Sequence, residues 1–129
     1  MNAVSVDIKD MLVAGLSYTF ATDIFIGKEP TTPDNCVTIF DTGGGAPQLT
    51  FTQGERYEYP TFQIRVRNKS YLVGMAAIEA IKESLHGRAQ ESWNGTLYSV
   101  VYCSSGPALL DWDDSNRCRF IINFNAQRR

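Results

Sequence analysis

Gly43-Gly44-Gly45 is the first group in this chain that invites a chemical reading. A phosphate loop aims backbone N–H groups at a phosphate where a helix begins, and it supplies a lysine. Here no Gly-Lys-Ser/Thr follows, and the next helical pattern starts only at Ser70. The glycine run is therefore read as a flexible turn that lets a long loop leave a sheet. Asp111, Asp113 and Asp114 resemble the start of a calcium loop, but such a loop needs glycine where Asn116 stands and glutamate where Ile122 stands. A solvated acidic loop is the better reading. His86 falls at the end of a helical pattern, where a cationic imidazole suits the helix dipole. No motif places a nucleophile or carboxylate beside it.

The chain has three cysteines, Cys36, Cys103 and Cys118, with no C-x-x-C pair, and a single histidine. A structural zinc site needs four soft ligands at short spacings. All three thiols fall in predicted strands and read as small buried groups of a chain made in a reducing cytoplasm. Asn68-Lys69-Ser70 matches a glycosylation sequon, which carries no weight without a secretion signal. Neither a metal nor a cofactor is expected, and the chain is read as a non-enzyme.

The residues left over are those that bind other proteins. Arg65 and Arg67 project from one face of a regular strand. Arg56 lies just before that strand, beside Tyr57 and Tyr59. Arginine and tyrosine are enriched where proteins meet. A solvated sheet face with cross-strand charge pairs would also explain them. Two long segments read as loops. Thr42–Tyr59 contains Leu49 and Phe51 besides its tyrosines, and Ser104–Asn116 contains Leu109, Leu110 and Trp112. Apolar side chains on long loops imply surfaces covered by another chain. The expectation is that both loops order only on assembly, unless they fold back as a lid on the core.

The elements that must position these residues follow from periodicity. At 129 residues the chain fits one domain, residues 1–129, and 43% hydrophobic content is enough for a packed core. A net charge of −2 argues against electrostatic gripping of nucleic acid. No signal peptide is read at the start, and no apolar run is long enough for a membrane span.

Ser5 can cap a first helix, with Ile8, Met11 and Leu12 on one face. Strands are expected at Thr22–Gly27, Cys36–Asp41, Pro60–Asn68, Thr96–Cys103 and Arg117–Asn125. In the third of these Phe62, Ile64 and Val66 alternate with Gln63, Arg65 and Arg67, which marks an interior strand. Ser70 caps a second helix running to about His86, and Gly87 suits the left-handed position after it. Asn94-Gly95 signals a turn. The predicted fold is α+β, with one mixed sheet of about five strands and two helices packed on one face, in the order α-β-β-β-α-β-β.

The stretch Pro33–Leu85 resembles the tail terminator and minor capsid proteins of long-tailed bacteriophages. The resemblance is carried by the strand Cys36–Phe40, the break Asp41-Thr42-Gly43-Gly44, Pro47, and Tyr59-Pro60-x-Phe62-Gln63-Ile64-x-Val66-Arg67 before the helix. After Gly87 the pattern is generic. The resemblance implies a virion protein made in the host cytoplasm and placed at the head–tail junction. It would form a ring, usually a hexamer, on the head-proximal end of the tail tube, stop its growth and meet a head completion or connector protein. DNA would pass through the lumen without specific binding. The candidate contact residues are Asp41, Thr42, Gly43, Gly44, Gly45, Arg56, Tyr57, Tyr59, Arg65, Arg67, Asp111, Trp112, Asp113 and Asp114. Of these, Arg65 and Arg67 are expected to face the acidic residues of a neighbouring subunit. The alternatives are a neck or head-closure ring protein of related fold, and a small enzyme or ligand-binding domain that uses the glycine run.

Overall fold

The computed structural model describes residues 1–49 and 56–129. Among them are two helices and six strands: α1 (Val4–Leu16), β1 (Ile24–Ile26), β2 (Cys36–Leu49), β3 (Arg56–Asn68), α2 (Tyr71–Leu85), β4 (Arg88–Trp93), β5 (Thr96–Trp112) and β6 (Cys118–Arg128). The strands form one mixed sheet ordered β1-β2-β3-β6-β5-β4, in which β1 and β2 are parallel and the other neighbours antiparallel.

The α+β class is as expected, and β3 is interior, between β2 and β6. The strand count is six rather than about five. The addition is β4, at the sheet edge, whose residues are exposed or half-buried. With so little apolar surface buried, it shows no alternation to find. Trp93 pairs with Thr96 across Asn94 and Gly95, whose φ values of 52° and 80° make the two-residue turn that matches strand twist.

One face of the sheet carries the core. Phe62, Ile64 and Val66 from β3 meet Phe120, Ile122 and Phe124 from β6. Ile8, Met11 and Leu12 from α1 close over them together with Ile78, Ile81 and Leu85 from α2. Phe62 and Phe124 stack with ring centroids 5.1 Å apart. Gly74 lets α2 sit directly on Phe120, because a Cβ there would lie 2.6 Å from the ring.

Ser70 caps α2 as expected, its Oγ accepting the Val73 N–H at 3.4 Å, and Gly87 takes φ +89°. Ser5 does not cap α1, which begins at Val4. Its N–H and Oγ instead donate to the Asp41 carboxylate of β2, at 3.0 and 2.6 Å. A carboxylate at a helix N-terminus gains from both the free N–H groups and the dipole.

The two predicted loops are largely strand. β2 continues through Thr42 to Leu49 against β3, and β5 continues through Ser104 to Trp112 against β6. Local turn signals lose because a ready-made neighbouring strand offers hydrogen bonds, and the misfit is absorbed as bulges. Register shifts fall at Asp41/Gly43 and Gly45/Gln48 in β2. In β5 they surround Gly106-Pro107. Phe51, counted with the first loop, lies outside the described residues.

Candidate functional site

The candidate contact residues fall into two groups at opposite ends of the strands. Registers fix this: Asn68, Cys118 and Trp112 form a row at one end, and Glu58, Arg128 and Tyr98 a row at the other. From Thr42 onward β2 and the β3 residues it pairs with form an arm that runs along the sheet edge and past the second row, ending among the described residues at the pair Leu49 and Arg56.

The glycine run lies inside this arm and is not a flexible turn. Gly43 and Gly44 take φ values of 93° and 109°. A Cβ on Gly44 would overlap the Tyr59 carbonyl and lie 2.9 Å from Pro60 Cα. The glycines thus bring two backbones together, with no helix N-terminus following to aim at a phosphate. Thr42 and Thr61 hydroxyls bond across the arm at 2.7 Å, and the Tyr59 hydroxyl donates to Gln48 at 3.1 Å. Tyr57 accepts a 3.0 Å hydrogen bond from Arg129. Residues 41–49 and Arg56 are exposed and Tyr57–Thr61 half-buried, so the β2 side of the arm buries little within its own subunit.

At the base of the arm is a buried polar cluster that the sequence did not reveal. Arg128, 7% exposed, donates to Glu58 of the arm at 3.1 and 3.2 Å, to the Tyr98 hydroxyl at 3.1 Å and to the Asn2 carbonyl at 3.0 Å. Tyr98 in turn donates to the fully buried Asp7, which also accepts from Asn94 at 2.7 Å. Burial, and then the Asp7 carboxylate that takes its hydrogen bond, push the Tyr98 phenol well above its ordinary pKa. Asp7 lies in the first turn of α1. Its partners are remote in sequence and have no local signature.

At the other end, Arg65 and Arg67 share a face, as alternation requires, but have different fates. Arg65 lies 5.0 Å over the Phe40 ring and donates to Gln63 at 2.9 Å. Arg67 is 3% exposed, beneath the segment between β1 and β2. It donates to Glu29 at 2.9 Å and to the carbonyls of Pro33 and Asp34 at 2.7 and 3.2 Å. It clamps that segment to the sheet and is not available to a neighbour.

The acidic residues are also engaged within the subunit. Asp111 holds Arg119 in a two-pronged pair at 2.6 and 2.5 Å, and this pair keeps its carboxyl below the usual carboxylate range. Asp113 accepts the N–H groups of Ser115 and Arg117 at 3.0 and 2.9 Å and Arg117 Nε at 2.7 Å. Arg67, Asp113, Asp114, Arg117 and Arg119 line one cleft. Of the residues expected to pair across subunits, Arg67, Asp111 and Asp113 are thus already paired within their own subunit. Asp114 and Trp112 remain exposed.

Cys36 and Cys118 are buried, Cys103 is half-buried, and burial raises all three thiols. His86 caps the end of α2, and its Nδ1 accepts the Cys103 N–H at 3.0 Å. Among the described residues no cluster of three potential ligands forms, and no helix is long and apolar enough to cross a membrane.

The chain matches the family described as bacteriophage tail terminator protein over residues 11–129. Among solved structures, a chain from the virion of a native gene transfer agent particle is 14% identical. It superposes with a TM-score of 0.65 over 98% of this chain and 94% of that one. A second solved chain, without a functional description, is 10% identical with a TM-score of 0.50, over 92% and 94% of the two chains. No curated protein matches the chain in sequence.

Proposed function

The chain belongs to the bacteriophage tail terminator family, and on that premise we propose that it is the subunit of a ring, six copies by the family resemblance, which caps the head-proximal end of the tail tube. The ring ends tube growth and offers its other side to a head completion protein, while DNA passes through the lumen. The work is binding, not catalysis.

The observation that carries this reading is the β2–β3 arm, whose residues 42–49 are all exposed. A strand segment that buries so little in its own subunit is suited to burial against another. Asp41, Gly43 and Gly44 serve it indirectly. Asp41 ties the root of the arm to α1, and the glycines set the bulge that directs it. Tyr57, Tyr59 and Arg56 are the contact candidates on its second strand.

Growing tail tubes from purified tube protein provide the test. Adding this chain is expected to block elongation from one tube end and leave added density there in electron micrographs. Elongation at an unchanged rate, with bare tube ends, would overturn the reading.

A further inference from the structure

The end of the sheet opposite the arm carries exposed apolar side chains that the contact candidates, apart from Trp112, do not include. Tyr71, Leu72 and Val73 open α2 and are 41%, 78% and 56% exposed. Leu109 and Trp112 on β5, 42% and 49% exposed, are paired in register with Phe120 and Cys118. Residues directly opposite in a ladder point to the same face, so both lie on the helix side of the sheet. Tyr71 packs edge-on against Phe120 at 5.2 Å, which places the first turn of α2 beside Leu109. The result is an apolar centre with aromatic members on a fixed helix and strand, and two residues past Trp112 the β5–β6 turn carries the exposed Asp114, at the rim between this face and the Arg67 cleft.

The arm is its complement. Leu49, 80% exposed, is paired in register with the exposed Arg56, and the exposed Arg129 lies 5.6 Å over Tyr57 at the arm's base. The arm end thus presents Leu49 beside two arginines, and the other end presents an apolar patch with Asp114 at its rim. Because these are opposite ends of the same strands, one subunit cannot join them.

We propose that the patch formed by Tyr71, Leu72, Val73, Leu109 and Trp112 is the seat for the β2–β3 arm of a second copy of this chain, with Leu49 on the apolar centre and Arg56 toward Asp114. The contact is heterologous, joining two different surfaces, which is what ring closure requires. This rests on the reading of the chain as an assembling subunit and adds the surface that receives the arm.

Cysteine cross-linking combined with mass in solution tests it. Leu49→Cys and Leu72→Cys proteins, mixed and oxidised, are expected to give a disulfide-linked dimer containing one of each. Either variant alone is expected to give none. Arg56→Asp and Asp114→Arg should each weaken self-association by about fivefold, and the two together should restore it. Assembly without the mixed cross-link, or self-linking of Leu49→Cys alone, would overturn this contact and leave the ring reading standing. A protein that remains monomeric both alone and on tube ends would overturn both.

Discussion

A single methyl group separates the two readings of the glycine run. Gly43 and Gly44 both have positive φ, but only Gly44 has the opposite backbone against its missing side chain. Gly43→Ala should cost about 1 kcal/mol, the ordinary penalty for a non-glycine residue in that region. Gly44→Ala should cost clearly more, because the Tyr59 carbonyl and Pro60 must move. Thermal melts of the two variants decide it, and equal losses would restore the flexible-turn reading. Arg128 poses a second residue-scale question. Removing its charge leaves Asp7 buried without its ionic partner, for which about 3–5 kcal/mol is typical. Arg128→Leu should lose stability on that scale in urea unfolding, and a loss below about 1 kcal/mol would mean the cluster is not coupled. Asp111 allows a pH test. Its carboxyl is lowered in the folded chain by Arg119. Its contribution is therefore complete above the unfolded value of about 4 and disappears as pH falls through the lower folded value. Wild type should melt above Asp111→Asn at pH 7, with the gap closing below about pH 4. A gap that persists in strong acid would mean the pair acts through packing.

At the scale of elements, the sequence was most legible where one face is buried and the other wet. Phe62, Ile64 and Val66 placed β3, and the apolar stripes placed both helices within a residue or two. Legibility failed where pairing rather than burial holds a strand. Thr42–Leu49 and Ser104–Trp112 carry glycine, proline and serine, the usual turn residues, and pair with β3 and β6 through bulges. The edge strand β4 was hidden for the same reason. The contact candidates were legible as residue types, but Arg67, Asp111 and Asp113 proved to be engaged inside the subunit, a fact held in distances that no local pattern encodes. The arm's exposure makes its own prediction. Amides of residues 42–49 should exchange faster than those of Phe62–Asn68 in the free subunit, since little beyond the hairpin protects them. They should slow on assembly. Equal exchange before and after would remove the arm from the interface.

For the whole molecule, the proposed conduit role depends on what the chain does not hold. The face of the sheet away from the helices carries, beyond the clamp at Arg67, a row of neutral groups bonded to one another. Gln63 donates to Asn123 at 3.1 Å, Asn123 to Ser105 at 3.0 Å, and Asn125 to the Tyr102 hydroxyl at 3.3 Å. Amides already paired have little left to offer a phosphate, and the nearby Arg65 spends part of its charge on Phe40. The net charge of −2 points the same way. Binding to duplex DNA draws mainly on counterions released by clustered lysine and arginine, and it weakens steeply with salt. The arginines that do cluster, Arg67, Arg117 and Arg119, are each paired with a carboxylate of the same subunit. We therefore expect fluorescence anisotropy with a labelled duplex to show affinity weaker than about 100 µM at physiological salt, the weak end of non-specific binding. The proposed ring should behave no differently, because assembly adds no charge to the face. Tight binding with a steep salt dependence would mean that the chain grips DNA, and its place in a passage for DNA would then have to be given up.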